Sequence, residues 1–314
     1  MTNQLELPQQ ESKAETVLAL LAISVALVAV SFAPILIRWS ETEISPNATI
    51  FNRLWIATVV LVLWNGVLAV YHKLVRKESN QSQTDTQESL ELLLTLGIFF
   101  GLSQVFWAWS LTQTNVANST IFHNLTPLFT IAGGWLLFDQ QFDRKFLIGA
   151  TIAMGGAIAL GISDLQIDPD KLQGDIVSLI SAGLYGAYVL VVAKLRSKFT
   201  ATTILLWCSG SGTVFILPAL LFTNDQILPY SWRGWLVIIG LAVICQVLGQ
   251  GLIAYSLNKL SSGLVALFQL LYPVLTAIFA WIIFLERLSF YTLLEFAVVL
   301  LGIYLAKSSQ YAIK

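Results

Sequence analysis

One stretch of this chain recurs. Residues 101–138 reappear in blurred form at 247–284, an offset of 146 positions. At that offset Gln104 aligns with Gln250, Ser110-Leu111 with Ser256-Leu257, Phe122 with Phe268 and Leu125 with Leu271. Pro127 aligns with Pro273, Thr130 with Thr276, Trp135 with Trp281 and Phe138 with Phe284. Both copies lie in apolar runs long enough to cross a bilayer. Two related halves with prolines inside matching membrane helices form the pattern of a carrier whose site lies between the halves.

Composition supports the membrane setting. The 314 residues are 56% hydrophobic and 11% charged, with a mean hydropathy of +0.76. A helix needs about 20 apolar residues to cross the hydrocarbon core. Ten stretches qualify, at roughly 15–38, 47–71, 91–113, 118–138, 145–163, 174–195, 201–222, 232–258, 262–284 and 288–307. Lipid offers the backbone no hydrogen bonds, so the spans are expected to be helices. A β-barrel would instead show short segments of alternating polarity.

The basic residues set the orientation. With an even number of spans both termini share one side. Placing them in the cytoplasm puts Lys13, Lys73, Arg76, Lys77, Arg144, Lys145, Lys194, Arg196, Lys198, Lys259, Lys307 and Lys314 inside, which is most of the 17 Lys and Arg. That bias is the one membrane insertion favours. The loop after the fifth span is acidic, with Asp164, Asp168, Asp170 and Asp175. Each half has five spans, an odd number, so the second copy enters the membrane inverted.

The expected fold is therefore an all-α polytopic membrane protein. Ten transmembrane helices form two inverted five-helix repeats around a central cavity. The expected divisions are a cytoplasmic tail at 1–14, a first repeat at 15–163, an external linker at 164–173, a second repeat at 174–307 and a cytoplasmic tail at 308–314. The Ser-, Gln- and Thr-rich stretch 78–90 reads as a disordered cytoplasmic linker.

Enzyme signatures are missing from the sequence. It has no H-E-x-x-H, no G-x-S-x-G and no phosphate loop. Cys208 and Cys245 both fall in spans and show no metal spacing. No metal, cofactor or nucleic-acid partner is expected. The runs Gly97-x-x-x-Gly101, Gly155-Gly156 and Ser209-Gly210-Ser211-Gly212 read as close helix contacts.

Polar residues inside spans carry the functional reading. His123 lies four residues before Pro127, and Gln269 lies four before Pro273. A helical proline lacks an N–H, so the carbonyls of His123 and Gln269 are expected either to be freed toward a cavity where the helix kinks or to be met by neighbouring side chains. Asn124 adds a polar group. Gln104 and Gln250 occupy equivalent sites, and Gln246 lies one turn from Gln250 on the same face. Each glutamine is either a cavity wall or interhelical glue. Trp107, Trp109, Tyr185, Tyr188, Tyr255 and Tyr272 are candidate walls. Arg53 either reaches the outer headgroups, pairs with an acid such as Glu286, or meets a solute carboxylate. Glu295, inside the last span, either carries a proton, pairs with Arg53 or sits at a local thin spot of the interface.

Several motifs resemble the EamA-type branch of the drug/metabolite transporter superfamily. Ser45-Pro46 followed by Arg53-Leu54 and Ala57 is similar to the opening of that family's second helix. Residues 117–127 and 262–273 resemble its paired helices of small residues ending in Leu/Tyr-Pro. Leu285-Glu286-Arg287-Leu288 resembles its acidic turn, and Gly302-x-Tyr304 its closing glycine. The first half departs from the family, with Asp139-Gln140-Gln141-Phe142 at the acidic turn. The resemblance implies movement of small metabolites across a bacterial inner (plasma) membrane.

The expected activity is secondary transport of a small organic metabolite by alternating access, in the exporting direction. Gln104, His123, Asn124, Gln246, Gln250, Gln269, Tyr272, Trp107, Tyr188 and Arg53 would contact the solute. Pro127 and Pro273 would shape the cavity. The alternative is a structural, sensory or lipid-handling membrane protein, which needs no central cavity.

Overall fold

The computed structural model describes residues 7–75, 86–162, 171–221, 226–284 and 290–313. Among them the regular structure is helical, joined by short turns, with one isolated bridge between Leu260 and Ile313. The helices run α1 (Leu7–Ser31), α2 (Ala33–Ser40), α3 (Pro46–Val75), α4 (Thr86–Gln113), α5 (Val116–His123), α6 (Thr126–Phe138) and α7 (Arg144–Ile162). They continue with α8 (Leu172–Leu195), α9 (Ala201–Leu221), α10 (Trp232–Gly240), a π-wound segment (Leu241–Gln250) and α11 (Gly251–Ser256). The last three are α12 (Ser262–Gln269), α13 (Leu271–Phe284) and α14 (Phe290–Lys307).

Eight helical runs among the described residues are long and apolar enough to cross a membrane. They are Ala14–Ser40, Pro46–Leu68, Leu90–Gln113, Asn118–Phe138, Leu172–Leu195, Ala201–Pro218, Trp232–Ser256 and Ser262–Ile283. Two further helices, α7 with 19 residues and α14 with 18, stand where the fifth and tenth spans are expected. The perimeter is apolar: Leu63, Val67, Leu136 and Val214 are each more than three-fifths exposed. Only a lipid surround satisfies so continuous an apolar face. The protein is an integral, multi-pass membrane protein.

Local sequence explains where the helices stop. The 118–138 span is two helices rather than one kinked helix. After α5 the backbone tightens, with Asn124 N–H donating to Thr120 O and Leu125 N–H to Phe122 O. Pro127 then falls in the first turn of α6, where its missing N–H removes no helical bond. The carbonyl of His123 is met rather than freed, because the Thr126 hydroxyl donates to it at 2.8 Å. A similar tight turn separates α12 from α13, where Leu270 N–H donates to Leu267 O at 3.0 Å. The first span is also broken, at Phe32, with Pro34 in the first turn of α2. Residues 86–90 already belong to α4, so the expected linker at 78–90 is shorter than its composition suggested. The remainder of that linker, the acidic loop through Asp170 and the 285–288 motif lie outside the described residues.

Small residues set the closest packing. A Cβ added to Gly302 would lie 2.3 Å from the Ala153 backbone nitrogen, and one on Gly149 would lie 2.4 Å from that of Ala306. The backbones of α7 and α14 therefore touch, in the manner of small-residue membrane interfaces. Gly97 likewise faces Ser211, joining α4 to α9. In the Gly155-Gly156 pair only Gly156 makes such an approach; Gly155 faces open space. Helix pairing follows a pattern: α3 lies against α9, α7 against α14, α4 against α8, and α1 against the π segment.

Gly302→Leu is expected to lower the melting temperature of the detergent-purified protein sharply, since overpacking of this kind costs about 1–3 kcal/mol or more. Gly66→Leu, where an added Cβ meets nothing within 4 Å, is expected to leave it nearly unchanged. Equal effects of the two substitutions would contradict backbone contact between α7 and α14.

Candidate functional site

The interruptions just described converge on one cavity of about 140 Å³. A space of this size matches apolar cavities of roughly 150 Å³ that hold a benzene-sized molecule. Its walls come from both halves of the chain. Gln104 and Trp107 enter from α4, His123 ends α5, and Asn124 and Pro127 flank the break before α6. Gln250 closes the π segment, Gln269 ends α12, and Tyr272 begins α13. Arg53 enters from α3 and Tyr185 from α8.

Hydrogen bonds fix part of this lining. The Tyr185 hydroxyl donates to Gln269 Oε1 at 3.0 Å. His123 Nδ1 lies 3.1 Å from Ser181 Oγ. That serine donates its own proton to the Ser103 carbonyl at 2.9 Å. In the tautomer that carries its proton on Nδ1, His123 donates to Ser181 and keeps Nε2 as an acceptor. Tilted rings pack beside the polar groups. His123 sits 5.7 Å from Trp107 and 5.9 Å from Tyr185, centroid to centroid.

Other polar atoms in the lining are buried without a partner. They are Arg53 Nε, Trp107 Nε1, Gln250 Oε1 and Gln269 Nε2. An unmet buried donor or acceptor costs about 1–3 kcal/mol. Four of them around one void mark a surface that a polar guest or water completes.

Not every expected residue reaches the void. Tyr188 is buried behind it, 5.0 Å from Phe100 and 5.3 Å from Tyr185. Gln246 is fully buried, and its Nε2 reaches Ser209 Oγ at 3.4 Å. Pro273 and Glu295 are outside the lining, and Trp109 faces outward. Tyr255 also lies outside it. Conversely, Thr120, Thr126, Leu270 and a stripe of α1 and α2 that includes Leu27, Val30 and Ala33 line it without having been expected to. Pro34 was the available signal for the last of these.

One charged contact ties the halves together near the mouth of α10. Ser231 caps that helix, its Oγ accepting from Gly234 N–H at 2.9 Å. Glu43, between α2 and α3, accepts both the Ser231 hydroxyl and its backbone N–H. The Ser231 hydroxyl holds the Glu43 carboxyl below its ordinary value of 4.5.

A multi-pass helical membrane protein with a central, partly polar cavity between two halves has the architecture of a carrier. The model of the EamA-like transporter family matches residues 17–162 and residues 172–307. The chain belongs to this family and is a membrane transporter. An uncharacterized transporter of Archaeoglobus fulgidus is 24% identical over 295 residues, covering 93% of this chain and 97% of its own. An uncharacterized transporter of Haemophilus influenzae is 28% identical over 227 residues, covering 68% and 73%. The pseudopaline exporter CntI of Pseudomonas aeruginosa is 19% identical over 201 residues, covering 64% and 69%. One crystal structure shares the fold with a TM-score of 0.75 over 94% of this chain and 97% of its own, at 15% identity.

The Glu43 contact makes a pH-dependent contribution to stability. A depressed carboxylate pKa adds stability that is full above the ordinary value of 4.5 and is lost as pH falls through the lower folded value. Melting temperature measured against pH is expected to drop more steeply in the wild type than in Glu43→Gln as pH falls from 4.5 to the lower folded value. Parallel curves would show that the Glu43–Ser231 contact contributes nothing.

Proposed function

We propose that this chain exports a small organic metabolite by alternating access. Two inverted five-helix repeats, at 15–163 and 174–307, rock about the central cavity. The reading counts α7 and α14 as the fifth and tenth of ten spans. Both termini lie in the cytoplasm of a bacterial cell, and the protein sits in its inner (plasma) membrane.

The observation that carries the proposal is the convergence of helix breaks from both halves on one cavity with unmet polar atoms. Irregular backbone is tolerated at membrane depth where it lines such a cavity. The helix pairing supports the inverted repeat. Under a two-fold in the membrane plane, α3–α9 and α7–α14 map onto themselves, and α4–α8 maps onto the π segment–α1 pair. The two matched family segments, 17–162 and 172–307, fall on the same division. The Lys and Arg bias supports the orientation. Similarity to the pseudopaline exporter favours the outward direction. A close-packed structural or sensory subunit has no use for the void. Glu295 stands on α14 away from the cavity, so the cavity geometry lends a proton-coupling role at that residue no support.

Gln104 and Gln250 occupy equivalent positions in the repeat and both line the cavity. In proteoliposomes, Gln104→Leu combined with Gln250→Leu is expected to reduce solute flux about tenfold or more while the protein still folds. Wild-type flux from a correctly folded double variant would remove both residues from the translocation path.

A further inference from the structure

We infer that the cavity is selective for a small monocarboxylate, whose carboxylate is held by Arg53. The inference deepens the transport reading and rests on it for the identity of the cavity as the solute site.

Arg53 is 9% exposed and lines the void from α3. A guanidinium stays protonated at any physiological pH. A charge this deep in a membrane protein needs a counter-charge or a hydrated cavity. Among the described residues, none that lines the cavity is Asp or Glu, and Glu286 lies outside them. Arg53 Nε has no hydrogen-bond partner, and Arg53 makes no ion pair among the described residues. Among the described residues the site therefore holds the Arg53 charge with no acidic side chain beside it.

Two further donors extend the same preference. Trp107 Nε1 and Gln269 Nε2 line the cavity and are also unpartnered. A carboxylate offers acceptor lone pairs only, and it matches a guanidinium in charge and in planar, two-pronged geometry. A cationic amine would meet like charge and could not accept from any of these donors. One guanidinium neutralises a monoanion, which favours a carboxylate over a phosphate dianion. The cavity volume of about 140 Å³ accommodates roughly the bulk of one ring. The Trp107 and Tyr185 rings beside His123 suit an apolar or aromatic body attached to that carboxylate.

The test is ligand-dependent thermal stabilisation of the full chain, purified in detergent, at millimolar probe. The probes are benzoate, lactate, benzamide, benzylamine and inorganic phosphate. At least one carboxylate is expected to raise the melting temperature, whereas benzamide, benzylamine and phosphate leave it unchanged. Arg53→Gln is expected to weaken the carboxylate effect about tenfold or more, and Arg53→Lys to retain part of it. A shift with benzylamine, benzamide or phosphate but with neither carboxylate would overturn the inference. So would a carboxylate shift that survives Arg53→Gln undiminished, or no shift with any probe. Circular dichroism of both variants separates loss of binding from loss of fold. Flux of a neutral or cationic solute in vesicles, alongside any of these negative results, would leave the transport reading standing while the carboxylate assignment fell.

Discussion

A peptide group in lipid has no water to turn to, so its hydrogen bond must come from its own helix or from protein and trapped solvent beside it. Every interruption of a helix in this chain is bound by that constraint. The first span breaks at Phe32, the α5–α6 pair at Asn124 and Leu125, and the α12–α13 pair at Leu270. The winding between α10 and α11 widens to a π-helix, a form that is rare and frequent at functional sites. Ala33, Asn124, Leu270 and Gln250, which belong to or adjoin these four irregularities, all line the same cavity. The irregular backbone and the void explain each other: the α5–α6 break, the α12–α13 break and the π segment bring His123, Asn124, Gln269 and Gln250 to the space within, and the Phe32 break adds an apolar wall.

Outside that central zone the structure is regular and tightly packed. Glycines at 149 and 302 bring α7 and α14 into backbone contact, and the pairs α3–α9 and α4–α8 form the other long seams. Each of these seams joins a helix of the first half to a helix of the second, so the two halves meet along regular surfaces around an irregular middle.

Much of the helical framework was legible in the sequence, because long apolar runs with few charges admit one solution in lipid. The repeat was legible because Gln104, Pro127 and Trp135 each have a partner at one fixed offset. Finer placement was not. Membrane helices are apolar on lipid-facing and protein-facing sides alike, so periodicity does not reveal which face a residue shows. Tyr185 and Tyr188 are three residues apart, yet one lines the cavity and the other packs behind it on Phe100. Gln246 and Gln250 share a helical face by spacing, yet only Gln250 reaches the void, whereas Gln246 is drawn to Ser209. The proline rule left two outcomes open for the His123 carbonyl, a free group or repair by a neighbouring side chain, and the Thr126 hydroxyl makes the repair.

The account stands or falls on water reaching the protein's interior at the helix breaks. In a background with Cys208→Ser and Cys245→Ser, Asn124→Cys and Leu63→Cys can be challenged with a charged, membrane-impermeant maleimide in oriented vesicles. Asn124 lines the cavity, and Leu63 is 64% exposed on the apolar perimeter. Prompt labelling of the cysteine at 124 from one side, with the cysteine at 63 inert, is the predicted result. Labelling at 124 no faster than at 63 from either side would contradict a wet central cavity.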